Sequence, residues 1–143
     1  MNRKSGFTLI EILIAMTIIG ILSGVVGLSV SGYLRKAKLE ASRAQIKTFQ
    51  TALQMYKAAH ALFPSTSQGL EALCVATSIP PVPRDYPAEG YLESRNLPRD
   101  PWGNPYVYLV PGRKGEPYEI VSYGADGVEG GTGEAADISS AQL

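Results

Sequence analysis

The chain is poor in the residues that most directed chemistry needs. One cysteine, Cys74, stands in 143 residues, so no disulfide can close within the chain and a cysteine-based zinc site is excluded. One histidine, His60, leaves oxygen atoms as the ligands for any metal. Lys and Arg number 13 and Asp and Glu number 13, so the excess of positive charge that marks a nucleic-acid binder is missing. Proline is absent from Met1 to Phe63. Charge is absent from residues 7–30 except at Glu11, and no base stands among residues 115–143, which hold six acids. No internal repeat, catalytic triad, phosphate-binding glycine loop or redox motif is present. The length suits one domain, or one domain with an appendage.

What fills these gaps is a long apolar run. From Phe7 to Val30 the chain is long enough to span a bilayer, since about 20 apolar residues cover a roughly 30 Å core. A secretory signal peptide has a shorter apolar region closed by a small-residue cleavage site. The expectation is a single-pass membrane anchor over residues 7–30, with residues 31–143 outside the membrane. Arg3 and Lys4 place the N-terminus in the cytoplasm by the positive-inside rule, although Arg35, Lys36 and Lys38 weigh against that orientation. Glu11 stands out. A carboxylate buried in a bilayer costs roughly 2.5 kcal/mol or more at a helix centre, so it needs headgroup water, a partner or a task.

The helical pattern continues beyond the anchor. Leu39, Ile46, Phe49, Leu53 and Tyr56 recur at 3–4 residue spacing and form one apolar stripe on a polar helix. A helix from Phe7 to about Ala61 would be roughly 80 Å long at 1.5 Å per residue. Gly20, Gly24, Gly27 and Gly32 loosen it, each by up to about 1 kcal/mol relative to alanine. Phe63-Pro64 ends it.

Residues 64–105 carry eight of the ten prolines, which predicts an irregular connection with at most one short helix near Gln68–Ala76. Tyr106–Val110 and Tyr118–Ser122 are rich in aromatic and β-branched residues, with Pro111–Pro117 as a turn between them. A lone hairpin needs a face to pack on, and the Ile46/Phe49/Leu53/Tyr56 stripe supplies one. From Gly124 onward little remains to bury. There Asp126, Asp137 and Ser139, set among flexible glycines, form the one constellation that looks like a site. The same composition also fits a disordered acidic tail, and the spacing is not that of an EF-hand. His60 reads as a packing or capping residue, Cys74 as a buried small hydrophobe, Trp102 as an anchor for an irregular loop, and Asp85, Glu89 and Glu93 as solvated charges.

Five segments of sequence carry a resemblance. Lys4-Ser-Gly-Phe-Thr-Leu-Ile-Glu11 resembles the N-terminal signature of type IV pilins and their relatives. Phe63–Leu73, Gly90-Tyr-Leu-Glu93, Leu97-Pro-Arg-Asp-Pro-Trp-Gly-Asn-Pro-Tyr106 and Ser122-Tyr-Gly-Ala-Asp-Gly-Val-Glu-Gly-Gly131 are similar to the major pseudopilins of type II secretion systems. Together these segments span nearly the whole chain. That family commonly has proline where this chain has Leu28.

The resemblance implies an α+β fold, with a long N-terminal helix packed on a small antiparallel sheet and a C-terminal calcium loop. It implies a leader, residues 1–6, removed by a prepilin peptidase at the Gly6/Phe7 bond, with Phe7 then N-methylated. Glu11 would act in assembly, neutralising the terminal amine of a neighbouring subunit. For calcium it implies the side chains of Asp126 and Asp137, the carbonyls of Tyr123 and Val128, and an oxygen of Ser139. The role implied is that of a non-enzymatic subunit of the bacterial inner membrane with its C-terminal domain in the periplasm. Such subunits polymerise into a pseudopilus with minor pseudopilins, on an inner-membrane assembly platform, and help to drive protein export. A major type IV pilin is the alternative within the class, but its stapled C-terminal loop requires two cysteines. An enzyme on a membrane tether would show a convergent polar cluster, which the sequence lacks.

Overall fold

The structure, a computed structural model, describes residues 6–143, apart from the side chains of residues 25–31. Arg3, Lys4 and the rest of the expected leader before Gly6 lie outside the described residues, as does the side chain of Leu28. One helix, α1 (Leu9–His60), is followed by three short strands, β1 (Val107–Leu109), β2 (Glu119–Ser122) and β3 (Ile138–Ser139). The chain divides into two compact units, residues 1–37 and 38–143.

In the first unit α1 starts on a local signal. The hydroxyl of Thr8 accepts from the N–H of Glu11 at 3.3 Å, and Glu11 Oε2 accepts from the N–H of Thr8 at 3.5 Å. This reciprocal capping box satisfies two backbone donors that a helix start leaves without partners. Beyond it, the large apolar side chains between Leu9 and Leu22 are exposed, from 47% at Ile12 to 86% at Leu9. The Thr17 and Ser23 hydroxyls donate to the carbonyls of Leu13 and Ile19, both at 2.8 Å, so the polar groups of this apolar stretch are satisfied within the helix. Among the described residues no helix is long and apolar enough to cross a membrane. Of the expected span 7–30, residues 25–30 have no described side chains.

The second unit buries the predicted stripe. Ile46, Phe49 and Leu53 are fully buried and Tyr56 nearly so, because a 3–4 residue repeat puts all four on one face. The sheet order is β1-β2-β3, antiparallel throughout, with Tyr108 opposite Ile120 and Ser122 opposite Ile138. The Tyr106 ring meets Phe49 edge-on at 5.1 Å, and a one-turn 3-10 helix, Leu70–Leu73, adds two more buried leucines. The helix ends at His60, and Ala61 takes the left-handed conformation (φ 65°) while its N–H still reaches the Lys57 carbonyl at 2.8 Å. The proline-rich connection is irregular, as expected. Gln68 organises part of it, accepting from Ser65 N–H and donating to the carbonyls of Ile79 and Pro81.

One expectation is overturned. The segment after Gly124 does contribute to the core: Ile138 is 6% exposed and β3 pairs with β2. Two residues are too few for a periodic signal. What makes them a strand is the open edge of β2, whose N–H and C=O groups need a partner when buried.

Candidate functional site

The C-terminal loop is built from its two ends. Asp100 is buried, with Oδ1 accepting from the N–H groups of Trp102 (3.1 Å) and Asn104 (2.7 Å), and Oδ2 accepting from the Ser122 hydroxyl (2.7 Å). An Asp-Pro-Trp-Gly-Asn turn is thereby fastened to β2. Asn104 Nδ2 passes the restraint on, donating to the carbonyl of Gly124 at 2.7 Å, where the loop begins. Trp102 is half-buried against the core, in line with its reading as an anchor.

The loop then folds back on itself. The N–H of Ala125 donates to the Glu134 carbonyl at 2.9 Å. Gly124 and Gly131 both have positive φ, and a Cβ on either would run into the backbone at Glu134 or Ala135. Glycine is required at these crossings because the two strands of the loop touch there. Asp126 is exposed and accepts from Val128 N–H at 3.2 Å. Asp137 is half-buried, and its two carboxylate oxygens share the N–H of Gly130 at 3.1 Å each. Each carboxylate therefore meets a single backbone donor, which leaves most of its acceptor capacity unused.

The expected ligand set divides on this geometry. Asp126 and Asp137 belong to one glycine-curved loop, with the Tyr123 carbonyl at its start and that of Val128 within it. Carboxylates with backbone carbonyls are a donor mix that calcium accepts. Ser139 fits only through its backbone. Its hydroxyl is buried, donates to Glu119 Oε1 at 2.7 Å and accepts from Ala141 N–H at 3.1 Å. Among the described residues no group of three or more His, Cys, Asp or Glu is placed to hold a metal, so a cation here would depend on two carboxylates and backbone oxygens.

Beside the loop lies a network that sequence reasoning missed. Arg113, in the β1–β2 turn, donates from Nε to Glu119 Oε2 (3.0 Å), from Nη2 to Oε1 (2.9 Å) and from its backbone N–H to Oε2 (3.0 Å). Its Nη1 donates to Glu129. The Glu119 side chain is only 6% exposed. The Arg113 hydrogen bonds, helped by Ser139, outweigh burial and hold this carboxyl down at about 2. The same bonds raise the Arg113 guanidinium above its ordinary value. Asp100, Arg113 and Glu119 left faint sequence signals at best. Asp-Pro-x-Gly-Asn is a turn with an aspartate ready to accept from its own backbone, whereas nothing local distinguishes Arg113 from a solvated turn residue.

At the other end, Gly6 and Phe7 are exposed and precede α1 in non-helical backbone. Glu11 is exposed, and only Oε2 is engaged, by the long contact with Thr8 N–H. Thr8 is the functional neighbour missed from sequence, although Thr-x-x-Glu before an apolar run is a legible capping box. His60 packs as expected, with Nε2 2.7 Å from the Tyr91 hydroxyl and its ring against Tyr56. Cys74 is buried, and burial raises its thiol pKa.

Two family descriptions account for almost the whole chain. "Prokaryotic N-terminal methylation motif" matches residues 1–27, and "Type II secretion system (T2SS), protein G" matches residues 29–141. The chain belongs to the type II secretion system protein G family. The type II secretion system core protein G of Pseudomonas aeruginosa is 46% identical over 139 residues, covering 97% of this chain and 96% of that protein. Its Vibrio cholerae counterpart is 43% identical over 140 residues, covering 98% and 93%. The crystal structure of the major pseudopilin from the type 2 secretion system of enterohaemorrhagic Escherichia coli superposes with a TM-score of 0.67 at 34% identity. It covers 79% of this chain and 94% of that one. The helix-on-sheet fold and the reading as a major pseudopilin, a structural subunit of type II secretion, are thus established.

Proposed function

We propose that the chain is made with a leader, residues 1–6, that a prepilin peptidase cuts at Gly6/Phe7, and that Phe7 is then N-methylated. The mature protein is held in the bacterial inner membrane by residues 7–30, with its C-terminal unit in the periplasm. It polymerises with copies of itself into a pseudopilus, alongside minor pseudopilins and on an inner-membrane assembly platform, and the filament helps to drive folded proteins across the outer membrane. The observation that carries this reading is the Thr8/Glu11 start of α1. Cutting at Gly6/Phe7 puts a cationic amine one residue before the capping box, and Glu11 has acceptor capacity beyond its contact with Thr8. Two charges that are each costly in lipid become tolerable as a pair. Glu11 of one subunit would neutralise the amine of the next.

Asp126 and Asp137, with the carbonyls of Tyr123, Val128 and Ser139, would hold calcium when it is bound. A divalent charge there would neutralise both carboxylates and fasten the loop to β2. Asp126 supplies an exposed carboxylate to the ion, while Asp137 precedes β3 and links the loop to the sheet edge.

The test is the N-terminal residue and mass of the mature protein from secreting cells. A methylated Phe7 terminus is expected, and a bulky residue in place of Gly6 should leave full-length precursor in the membrane. Retention of residues 1–6 in wild type would refute the processing step. Glu11→Ala should abolish or strongly impair filaments while the periplasmic unit melts as in wild type. Normal filaments from that variant would refute the role of Glu11.

A further inference from the structure

Arg113 joins segments that are distant in sequence. Three of its donors are committed to Glu119 on β2, and Glu119 also accepts from Ser139 on β3. The fourth contact runs to Glu129. Glu129 lies between Asp126 and Asp137, at the part of the loop farthest from its closure. The other hydrogen bonds of residues 126–133 stay within the loop: Val128 to Asp126, Gly130 to Asp137, and Ala135 to the Thr132 carbonyl. Among the described hydrogen bonds, Arg113–Glu129 is the one tie between the tip of the loop and the sheet.

The anchor of that tie is firm and its outer end is not. Glu119 is buried, Arg113 is about one-third exposed and Glu129 is two-thirds exposed. A guanidinium held in a fork by one carboxylate has lost most of its rotamer freedom already, so binding a second carboxylate costs it little further entropy.

We propose that Arg113 is a positioning residue for the C-terminal loop. Anchored by Glu119, it fixes Glu129 and holds the backbone curve that presents Asp126 and Asp137 to a divalent cation. It also commits Glu129, one of the four carboxylates of the loop, to the protein's own charge and leaves Asp126 and Asp137 for the ion. This rests on the calcium reading above. Loop order and calcium affinity then depend on an arginine in a different turn.

The experiment uses the full chain in detergent, as wild type, Glu129→Gln, Arg113→Gln and the double variant. Amide hydrogen exchange is followed with calcium and with chelator, and calcium binding by calorimetry. In chelator, Glu129→Gln should speed exchange at residues 127–131 by about two- to five-fold, the range of one partly exposed ion pair. Exchange at Ile120 and Val121 should not change. Calcium affinity should weaken by a similar factor. On the Arg113→Gln background the Glu129 substitution should have no further effect, a coupling that a general loss of stability would not produce. Arg113→Gln leaves Glu119 buried without its partner and so also perturbs the fold, but Glu129→Gln leaves that anchor intact and decides the matter alone. Unmoved exchange at residues 127–131 in Glu129→Gln overturns the proposal, whatever calcium does. Faster loop exchange in a protein that binds no calcium supports the positioning role and refutes the calcium reading instead.

Discussion

The two stretches of α1 in the two units are written in different hydrophobic codes. Between Leu9 and Leu22 apolar residues occur on every side, and their side chains are exposed. Between Leu39 and Tyr56 the large apolar residues other than the exposed Met55 occur on one stripe, half-buried at Leu39 and buried from Ile46 to Tyr56. A helix that is apolar all round must be covered by something outside its own domain, whereas a striped helix is completed by its own chain. The first unit therefore presents an apolar surface to something outside itself, and the second encodes its own folding.

The sharpest way to break this contrast is truncation of one side chain in each stretch. Phe49→Ala removes a fully buried ring that meets Tyr106 edge-on, and should cost about 3–5 kcal/mol. Ile14→Ala, at a half-exposed position, should change the unfolding free energy in detergent by less than about 0.5 kcal/mol. Denaturant midpoints of the two variants measure the difference. Equal losses would mean that the first stretch has a folding role that its exposure does not reveal.

The next largest effect lies in the Arg113–Glu119 pair. Glu119→Gln leaves Arg113 without its main carboxylate partner and should cost about 1–2 kcal/mol, less than a fully buried pair broken from one side, because Arg113 is one-third exposed and keeps Glu129. The pH dependence has a defined sign. The folded carboxyl is held at about 2, below its ordinary 4.5, so the charged form is favoured by folding. Its stabilisation is present in full above about pH 4.5 and is lost as the pH falls through that window towards 2. Thermal midpoints of wild type and Glu119→Gln should converge as the pH is lowered. A gap that stays constant down to pH 2 would show that Glu119 acts through shape, not charge.

What could be read from the residues follows the same contrast. The stripe, the proline stop at Phe63-Pro64 and the β1–β2 hairpin were legible because each is set by neighbours within a turn or two. The expected strands 106–110 and 118–122 contain the observed Val107–Leu109 and Glu119–Ser122. β3 was not legible, since its strand character comes from the edge of β2. Asp100, Arg113 and Glu119 were missed for a related reason: Arg113 and Glu119 meet across the β1–β2 turn, and further partners 22, 16 and 20 residues away complete the three roles. In the candidate site Asp126 and Asp137 could be named from the resemblance, but the commitment of the Ser139 hydroxyl to Glu119 could not.

Calcium provides a third and smaller test, applied to the C-terminal loop. At about 1 mM calcium, a site with a dissociation constant near 10⁻⁴–10⁻³ M adds roughly 0.5–1.5 kcal/mol by mass action. Chelation should lower the thermal midpoint of wild type accordingly. Asp126→Ala and Asp137→Ala should each remove most of that response, with Asp137→Ala also weakening the approach to β3. Ser139→Ala should keep the calcium response while losing the bond to Glu119, because only the Ser139 carbonyl is assigned to the ion. An unchanged wild-type midpoint would refute the site.

The smallest effect concerns the charge asymmetry along the chain. Six bases stand between Arg35 and Lys57 against Glu40 alone, and six acids stand after Gly115. Opposed charges of this kind suggest that offset subunits set one region against the other in a filament. Within the second unit, however, Arg43 pairs with Glu40 at 2.8 Å, and Arg43 and Lys47 line a groove of about 390 Å³ with Asp137, Ile138 and Ser139. Arg43 and Lys47 thus already face acid inside one subunit. Lys36, exposed and acting outside this groove, is the better reporter of contacts between copies. Exposed pairs contribute about 0–1 kcal/mol each, but a filament repeats them at every subunit and they steer register. Lys47→Glu should lower the monomer's unfolding free energy slightly, by under about 1 kcal/mol and less at high salt. Lys36→Glu should leave the monomer unchanged and slow assembly, and Glu134→Lys should restore the rate. If no acidic residue after Gly115 rescues Lys36→Glu, the asymmetry serves the subunit's own groove and not the filament.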